Sequence, residues 1–154
     1  MPAAWKAELH GLIEAQREAT RIATELSGPP IVQATQDATL LVTRTSRQLA
    51  KVDTGRWRAS IVPEVRVMGQ QVVGVVGSNL AYAPFAHEDT RPHFPPIAAL
   101  VPWARRHGVS AYVIARAISR RGTKGDQAIY RGLQQNLTRI VALYERAVGR
   151  IVRS

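Results

Sequence analysis

The chain of 154 residues contains no cysteine. This excludes disulfide staples and thiolate metal sites, and it fits a reducing compartment. Long apolar runs are missing too: no window of about 18 apolar residues occurs, so no membrane span is expected. The opening residues, Met1-Pro2-Ala3-Ala4-Trp5-Lys6-Ala7-Glu8, lack the charged-then-apolar order of a secretory leader. Acidic residues are scarce toward the end. Positions 101–154 hold two of them against eleven basic ones, whereas positions 1–100 hold nine against ten. Nearly all of the formal charge of +10 therefore belongs to the last third. Of the 21 basic residues 18 are arginine, whose forked guanidinium suits phosphates and interface carboxylates alike. Nucleic acid, an acidic protein partner and plain solubility are all compatible with that bias.

What is present is enough apolar material, 45% of the residues, for one core and one domain spanning 1–154. Residues 3–26 read as an amphipathic helix with Leu9, Leu12, Ile13, Ala19 and Ala23 on one side. Gly28-Pro29-Pro30 stops it. A second helix is expected over 31–52, burying Ala34, Ala38, Leu41, Val42, Leu49 and Val52. Asp53 or Thr54 is placed to cap a short turn through Trp57. Segments 61–67 and 72–77 are β-rich around Gly69-Gln70 and predict a hairpin, with Pro63 pushing the first strand to an edge. A third strand near 79–83 is a short possibility. Residues 84–96 carry four prolines and no periodicity. Helices then follow over 97–107, over 111–121 with Ser110 as cap and Tyr112 partly inward, and from about Asp126 to Val148. The last has the clearest pattern, with Ile129, Leu133, Leu137, Ile140, Val141, Tyr144 and Val148 at three-and-four spacing. The fold class is α+β: a small antiparallel sheet packed against long N-terminal and C-terminal helices, with a projecting proline-rich loop.

Candidate chemistry is sparse. His87, Glu88, Asp89 and His93 form the one dense cluster of imidazoles and carboxylates. A His-Glu-x-x-His zinc helix would need histidine where Arg91 stands, and the prolines deny the segment a helix. The sequence thus assigns no metal, cofactor or catalytic residue. A metal hydrolase on His87, Asp89 and His93 is the weaker alternative. None of Ser60, Ser78, Ser110 or Ser119 lies in a nucleophile elbow. Gly122-Thr123-Lys124-Gly125 lacks the frame of a phosphate loop and reads as a turn between helices. Arg105, Arg106, Arg116, Arg120, Arg121 and Lys124 make up a basic surface without a recognition-helix signature. Non-specific duplex binding is the other alternative it leaves open.

Two stretches carry a resemblance. One is Thr54-Gly55-Arg56-Trp57-Arg58-Ala59-Ser60-Ile61; the other is Ser78-Asn79-Leu80-Ala81-Tyr82-Ala83-Pro84-Phe85-Ala86-His87-Glu88-Asp89-Thr90. Together with Leu100 to Arg106, Ile114 to Ile118 and Gly122 to Gly125, their order resembles the tail-component and head–tail joining family of long-tailed, double-stranded DNA bacteriophages and prophages. Members carry a Thr-Gly-x-Leu-x-x-Ser-Ile-like segment, a β region, then Tyr-Ala and a Glu-Gly-Thr-like loop. Here Trp57 takes the apolar place and Asp89 replaces the usual glycine.

The resemblance implies a structural protein of the virion neck or head-proximal tail end, assembled in the host cytoplasm. It implies a homo-oligomer, often a sixfold ring. Its neighbours would be head-completion or connector proteins and tail-tube or tail-terminator proteins, with sequence-independent contact to duplex DNA in the channel and no membrane. A closed ring needs two complementary faces on each subunit. On this expectation Phe85, Glu88, Asp89 and Arg91 belong to an interface, while Trp57, Ile61, Tyr82 and Trp103 are structural core.

Overall fold

The computed structural model describes residues 3–153, with side chains from Glu14 onward. In chain order the elements are α1 (Ala3–Glu25), α2 (Pro29–Leu49), α3 (Arg56–Ser60), β1 (Val62–Met68), β2 (Gln71–Gly77), α4 (Ala83–His87), α5 (Ile97–Arg106), α6 (Ala111–Arg121) and α7 (Ala128–Arg153). The architecture is α+β, one antiparallel β1–β2 hairpin flanked by the long helices α1, α2 and α7. The chain forms two compact units from interleaved segments: residues 1–41, 63–76 and 136–154 make the first, residues 42–62 and 77–135 the second. The expected apolar face of α1 at Leu9, Leu12 and Ile13 lies outside the described side chains.

The first unit is held by small and branched side chains. Ile31, Ala34, Ala147 and Ile151 form its buried cluster, with Ile22, Val72, Leu143 and Tyr144 packed around them. Thr35 is buried because its hydroxyl is satisfied twice, donating to the Ile31 carbonyl at 2.8 Å and meeting the Tyr144 hydroxyl at 2.9 Å. The sheet comes very close to α2 at Gly74, where a Cβ would stand 2.6 Å from Thr39 Cγ2 and 2.8 Å from Thr35 Cγ2. Only glycine permits that approach. The hairpin turns at Gly69-Gln70, where Gly69 has φ of 60°. Pro63 and Val65 are half-buried while Glu64 and Arg66 face out and pair at 2.7 Å, as period-two alternation requires. Val67 breaks the expected pattern by being exposed.

In the second unit Trp57 and Ile61 are buried, as their role in the core demands. The Arg47 guanidinium donates to the Ile61 carbonyl at 2.9 Å. Ser60 and Ser78 share a 2.7 Å hydrogen bond, and the Ser78 hydroxyl accepts the Leu80 amide at 3.2 Å. Near the end of α2 Ser46 lies against Gly132 of α7, where a Cβ would stand 2.3 Å from the serine Oγ and 3.0 Å from its backbone nitrogen.

Several expectations are corrected here. No third strand forms: residues 81–82 are a turn, and α4 follows because Pro84 sits in its first turn, where a missing N–H costs nothing. The short helix α3 starts just before Trp57 rather than ending there, and Gly55 in the left-handed region caps it instead of Asp53 or Thr54. Ser110 does precede α6, yet its side chain makes no capping bond, and Tyr112 points outward. Helix α2 ends at Leu49, leaving Val52 exposed, and its buried row is Ile31, Ala34, Thr35, Ala38, Thr39, Val42, Thr43 and Ser46.

The largest departure is in α7. Its periodicity is real but its phase is rotated. The buried row consists of Ala128, Gly132, Asn136, Ala147 and Ile151, while Leu133, Leu137, Val141 and Val148 are exposed. Close approach selects the smallest side chains, so the large apolar row is left outside.

Candidate functional site

In the second unit, three stretches singled out in the sequence converge on Asp126. This carboxylate is 5% exposed. Its Oδ2 accepts the Trp57 indole N–H at 2.8 Å and the Lys51 amide at 2.9 Å, and its Oδ1 accepts the Ala128 amide at 3.0 Å. One side chain thus starts α7, fixes Trp57 of the Thr-Gly segment, and holds the exit of α2. The chain 86–90 is laced to 122–127 beside it. The Asp126 and Gln127 amides donate to the carbonyls of Ala86 and His87, each at 3.0 Å. The Thr90 amide donates to the Thr123 carbonyl at 2.9 Å, and the Thr123 amide to Thr90 Oγ1 at 2.9 Å. A Cβ on Gly125 would overlap the backbone of His87 and Glu88. The glycines of Gly122-Thr123-Lys124-Gly125 are therefore there for contact between chains of backbone.

Around this hub lies a cleft of about 790 Å³. Its apolar lining is Val52, Trp57, Tyr82, Phe85 and Trp103. Phe85 is 67% exposed and Tyr82 41%. Tyr82 is therefore not core; it ends the turn before α4 and presents its ring to the cleft. Trp103 is half-buried and stacks on His107, ring centroids 4.2 Å apart and planes at 26°. The basic lining is Lys51, Arg56, Arg106 and Lys124. Arg106 is committed: its Nε donates to Asp53 Oδ1 at 3.0 Å and its Nη2 to Oδ2, with His107 Nε2 at 3.2 Å from Oδ1. The Arg106 guanidinium, followed by His107, holds the Asp53 carboxyl below the usual aspartate range, and Asp53 in turn raises Arg106. Lys51 Nζ is oriented by the carbonyls of Lys124 at 2.6 Å and Gly125 at 3.4 Å. None of Lys51, Arg56 and Lys124 makes a direct ion pair among the described residues, and the lining holds four basic side chains against the carboxylates of Asp53 and Asp126.

The expected interface residues divide. Phe85, Glu88, Asp89 and Arg91 are all exposed, but Asp89 also accepts the Gly125 amide at 2.9 Å and so closes the lacing. Aspartate here does by side-chain hydrogen bonding what a glycine turn does by backbone freedom. Arg105, Arg116, Arg120, Arg121 and Lys124 are exposed as a basic surface. Glu88 pairs locally with His87 at 2.9 Å, while His87 Nε2 accepts the Tyr130 amide at 3.4 Å. His93 turns to the Arg91 carbonyl at 2.9 Å. Among the described residues no group of three or more His, Cys, Asp or Glu gathers to hold a metal, and no helix is long and apolar enough to cross a membrane.

Sequence reasoning missed Asp126 as the centre of this region. A signal existed: an aspartate two residues ahead of a strongly periodic helix is a capping position. Its long-range donors, Trp57 and the Lys51 amide, leave no local trace.

A second surface runs along α7. Tyr130, Leu133, Leu137, Val141, Val148 and Val152 are all exposed and lie within about 60° of one line on the helix at 3.6 residues per turn. Tyr144, half-buried, completes the row. Gln134 and Glu145 fall at the edge of the same arc, whereas Arg139, Arg146 and Arg153 project from the opposite side at the same periodicity. No protein-family model, curated protein or solved structure matches this chain.

Proposed function

We propose that this chain is a structural assembly protein of the phage neck or head-proximal tail end, working by binding and shape rather than by covalent chemistry. The observation that carries this reading is the mainly apolar exposed seam of α7. Soluble monomers rarely leave so long a contiguous apolar strip open. The sequence resemblance adds support, because the segments that carry it are those that meet around Asp126.

Magnitudes refine the reading. Covering the exposed halves of six large side chains contributes roughly 5–9 kcal/mol, at ~1.5–3 for each fully buried one. Association costs about 4–15 kcal/mol in lost freedom. One seam contact therefore barely holds two dispersed subunits, whereas closing a ring gives every subunit two contacts at once. Assembly on a connector or tail end is favoured over stable pairing in solution.

The test places glutamate at two seam positions, Leu137→Glu with Val141→Glu. Circular dichroism should be unchanged, since both side chains already face water. In a phage dependent on this gene, heads and tails should accumulate unjoined. Normal particle yield with the double variant, or absence of the chain from virions and assembly intermediates, overturns the proposal.

A second reading, sequence-independent duplex binding, is favoured by one observation. Arg116, Arg120 and Arg121 lie exposed on α6 with no carboxylate partner among the described residues. It requires dispersed subunits to bind duplex with a steep salt dependence that neutralising these three arginines removes.

A further inference from the structure

We infer that the cleft of the second unit is a docking site for an acidic segment of another protein, one that carries a single aromatic or long aliphatic side chain among its carboxylates. The inference stands apart from the virion reading. The apolar floor is open at Phe85 and Tyr82, and four basic side chains, Lys51, Arg56, Arg106 and Lys124, stand in the lining against two carboxylates, which leaves the cleft net positive. The two carboxylates in the lining are both occupied, Asp53 by Arg106 and His107, Asp126 by three N–H donors. An apolar side chain flanked by carboxylates meets both halves of that surface.

Two other occupants fit worse. A single nucleic-acid strand needs a run of open ring faces for its bases, but the cleft offers only Phe85 and Tyr82, since His107 covers one face of Trp103 and Trp57 is 6% exposed. A second copy of this chain has little to offer, because its only adjacent acidic pair is Glu88-Asp89, and Asp89 is engaged with the Gly125 amide. A chain of net charge +10 finds its complement elsewhere.

The experiment uses full-length protein and a fluorescein-labelled, end-capped peptide of alternating Glu and Asp around one Phe, read by fluorescence anisotropy at fixed salt. A peptide with Gly in place of the Phe and an oligo-thymidylate of equal charge serve as comparators. Phe85→Ser should weaken peptide binding about tenfold or more, as should Arg56→Glu with Lys124→Glu, and the Gly peptide should bind correspondingly worse. These side chains are exposed, so the variants fold, and the fluorescence of Trp57 and Trp103 reports it. Absence of peptide binding overturns the inference. So does binding that the charge variant weakens while Phe85→Ser and the Gly peptide leave it unchanged, which means surface electrostatics alone. Tighter binding of the oligonucleotide, lost in the same variants, overturns it in favour of nucleic acid. A chain that binds the peptide but is absent from particles keeps this inference and loses the virion assignment.

Discussion

The two units of this molecule are held together by different physics. The first rests on volume: Ile31, Ala34, Ala147 and Ile151 fill a small apolar cluster, and Thr35 and Thr39 turn their methyls to Gly74 while their hydroxyls donate to carbonyls of α2. The second rests on direction: one buried carboxylate and a lacing of backbone hydrogen bonds hold Trp57, α4 and the start of α7. A volume-based core tolerates exchange of one hydrocarbon for another. A directional one fails when a single acceptor is lost, because every donor it served stays buried without a partner. The contrast explains how Tyr82 and Phe85 can remain open to solvent in the second unit without loosening it.

The largest effect is expected at the hub. Asp126→Ala leaves three donors unmet and should cost on the order of 4 kcal/mol in urea unfolding, with Asp126→Asn costing less because one acceptor survives. Hydrogen exchange in that variant should accelerate first at the Lys51 and Ala128 amides. Equal acceleration at Leu143 and Ala147 means the units unfold together and the comparison breaks. Ile151→Ala tests the other side: about 3 kcal/mol for a cavity in the apolar cluster, while Ile151→Leu or Met should cost under ~1.5 kcal/mol. Gly125→Ala forces apart two stretches of backbone and should cost about 2 kcal/mol as an overpacking change, although it adds only a methyl group.

Smaller effects sharpen the picture. Thr43 Oγ1 is buried with no hydrogen-bond partner among the described residues. Thr43→Val should therefore be neutral or stabilising by ~0.5–1 kcal/mol in the same unfolding assay. The smallest effect belongs to the exposed Asp53 clamp. Its carboxyl is held below the ordinary value by Arg106 first and His107 second, so what the clamp contributes is present above the unfolded aspartate value and is lost as pH falls through the folded one. A carbon-detected NMR titration should place the Asp53 midpoint below that of a free aspartate, and Arg106→Ala should return it upward. A midpoint unmoved by Arg106→Ala means that the pair does not persist in solution.

Much of the fold was legible because local signals decided it. Gly28 lies between α1 and α2 while Pro29-Pro30 open α2, Gly69-Gln70 sets the hairpin, and α6 matches its expected span. What escaped was the phase of the long helices. Both α2 and α7 carry apolar residues on more than one side, so period alone does not say which side is inside. Size decided it: Ala, Gly, Ser and Thr went in because the backbones approach closely at Gly74 and Gly132, and the Leu and Val row of α7 stayed out. The site was half legible. Trp57 and Ile61 are buried as their types suggested and Phe85 is exposed, whereas Tyr82 lines the cleft instead of the core. Asp126 was hidden because a carboxylate gains its importance from donors 69 and 75 residues away in sequence.

A sheet of two strands has no interior strand, so each strand of the hairpin offers a bare outer ladder of amides and carbonyls. β1 is guarded by Pro63, which withholds a donor, and by the charges of Glu64 and Arg66. β2, Gln71-Val72-Val73-Gly74-Val75-Val76-Gly77, has neither proline nor charge. It carries none of the devices that guard β1 against pairing with another chain.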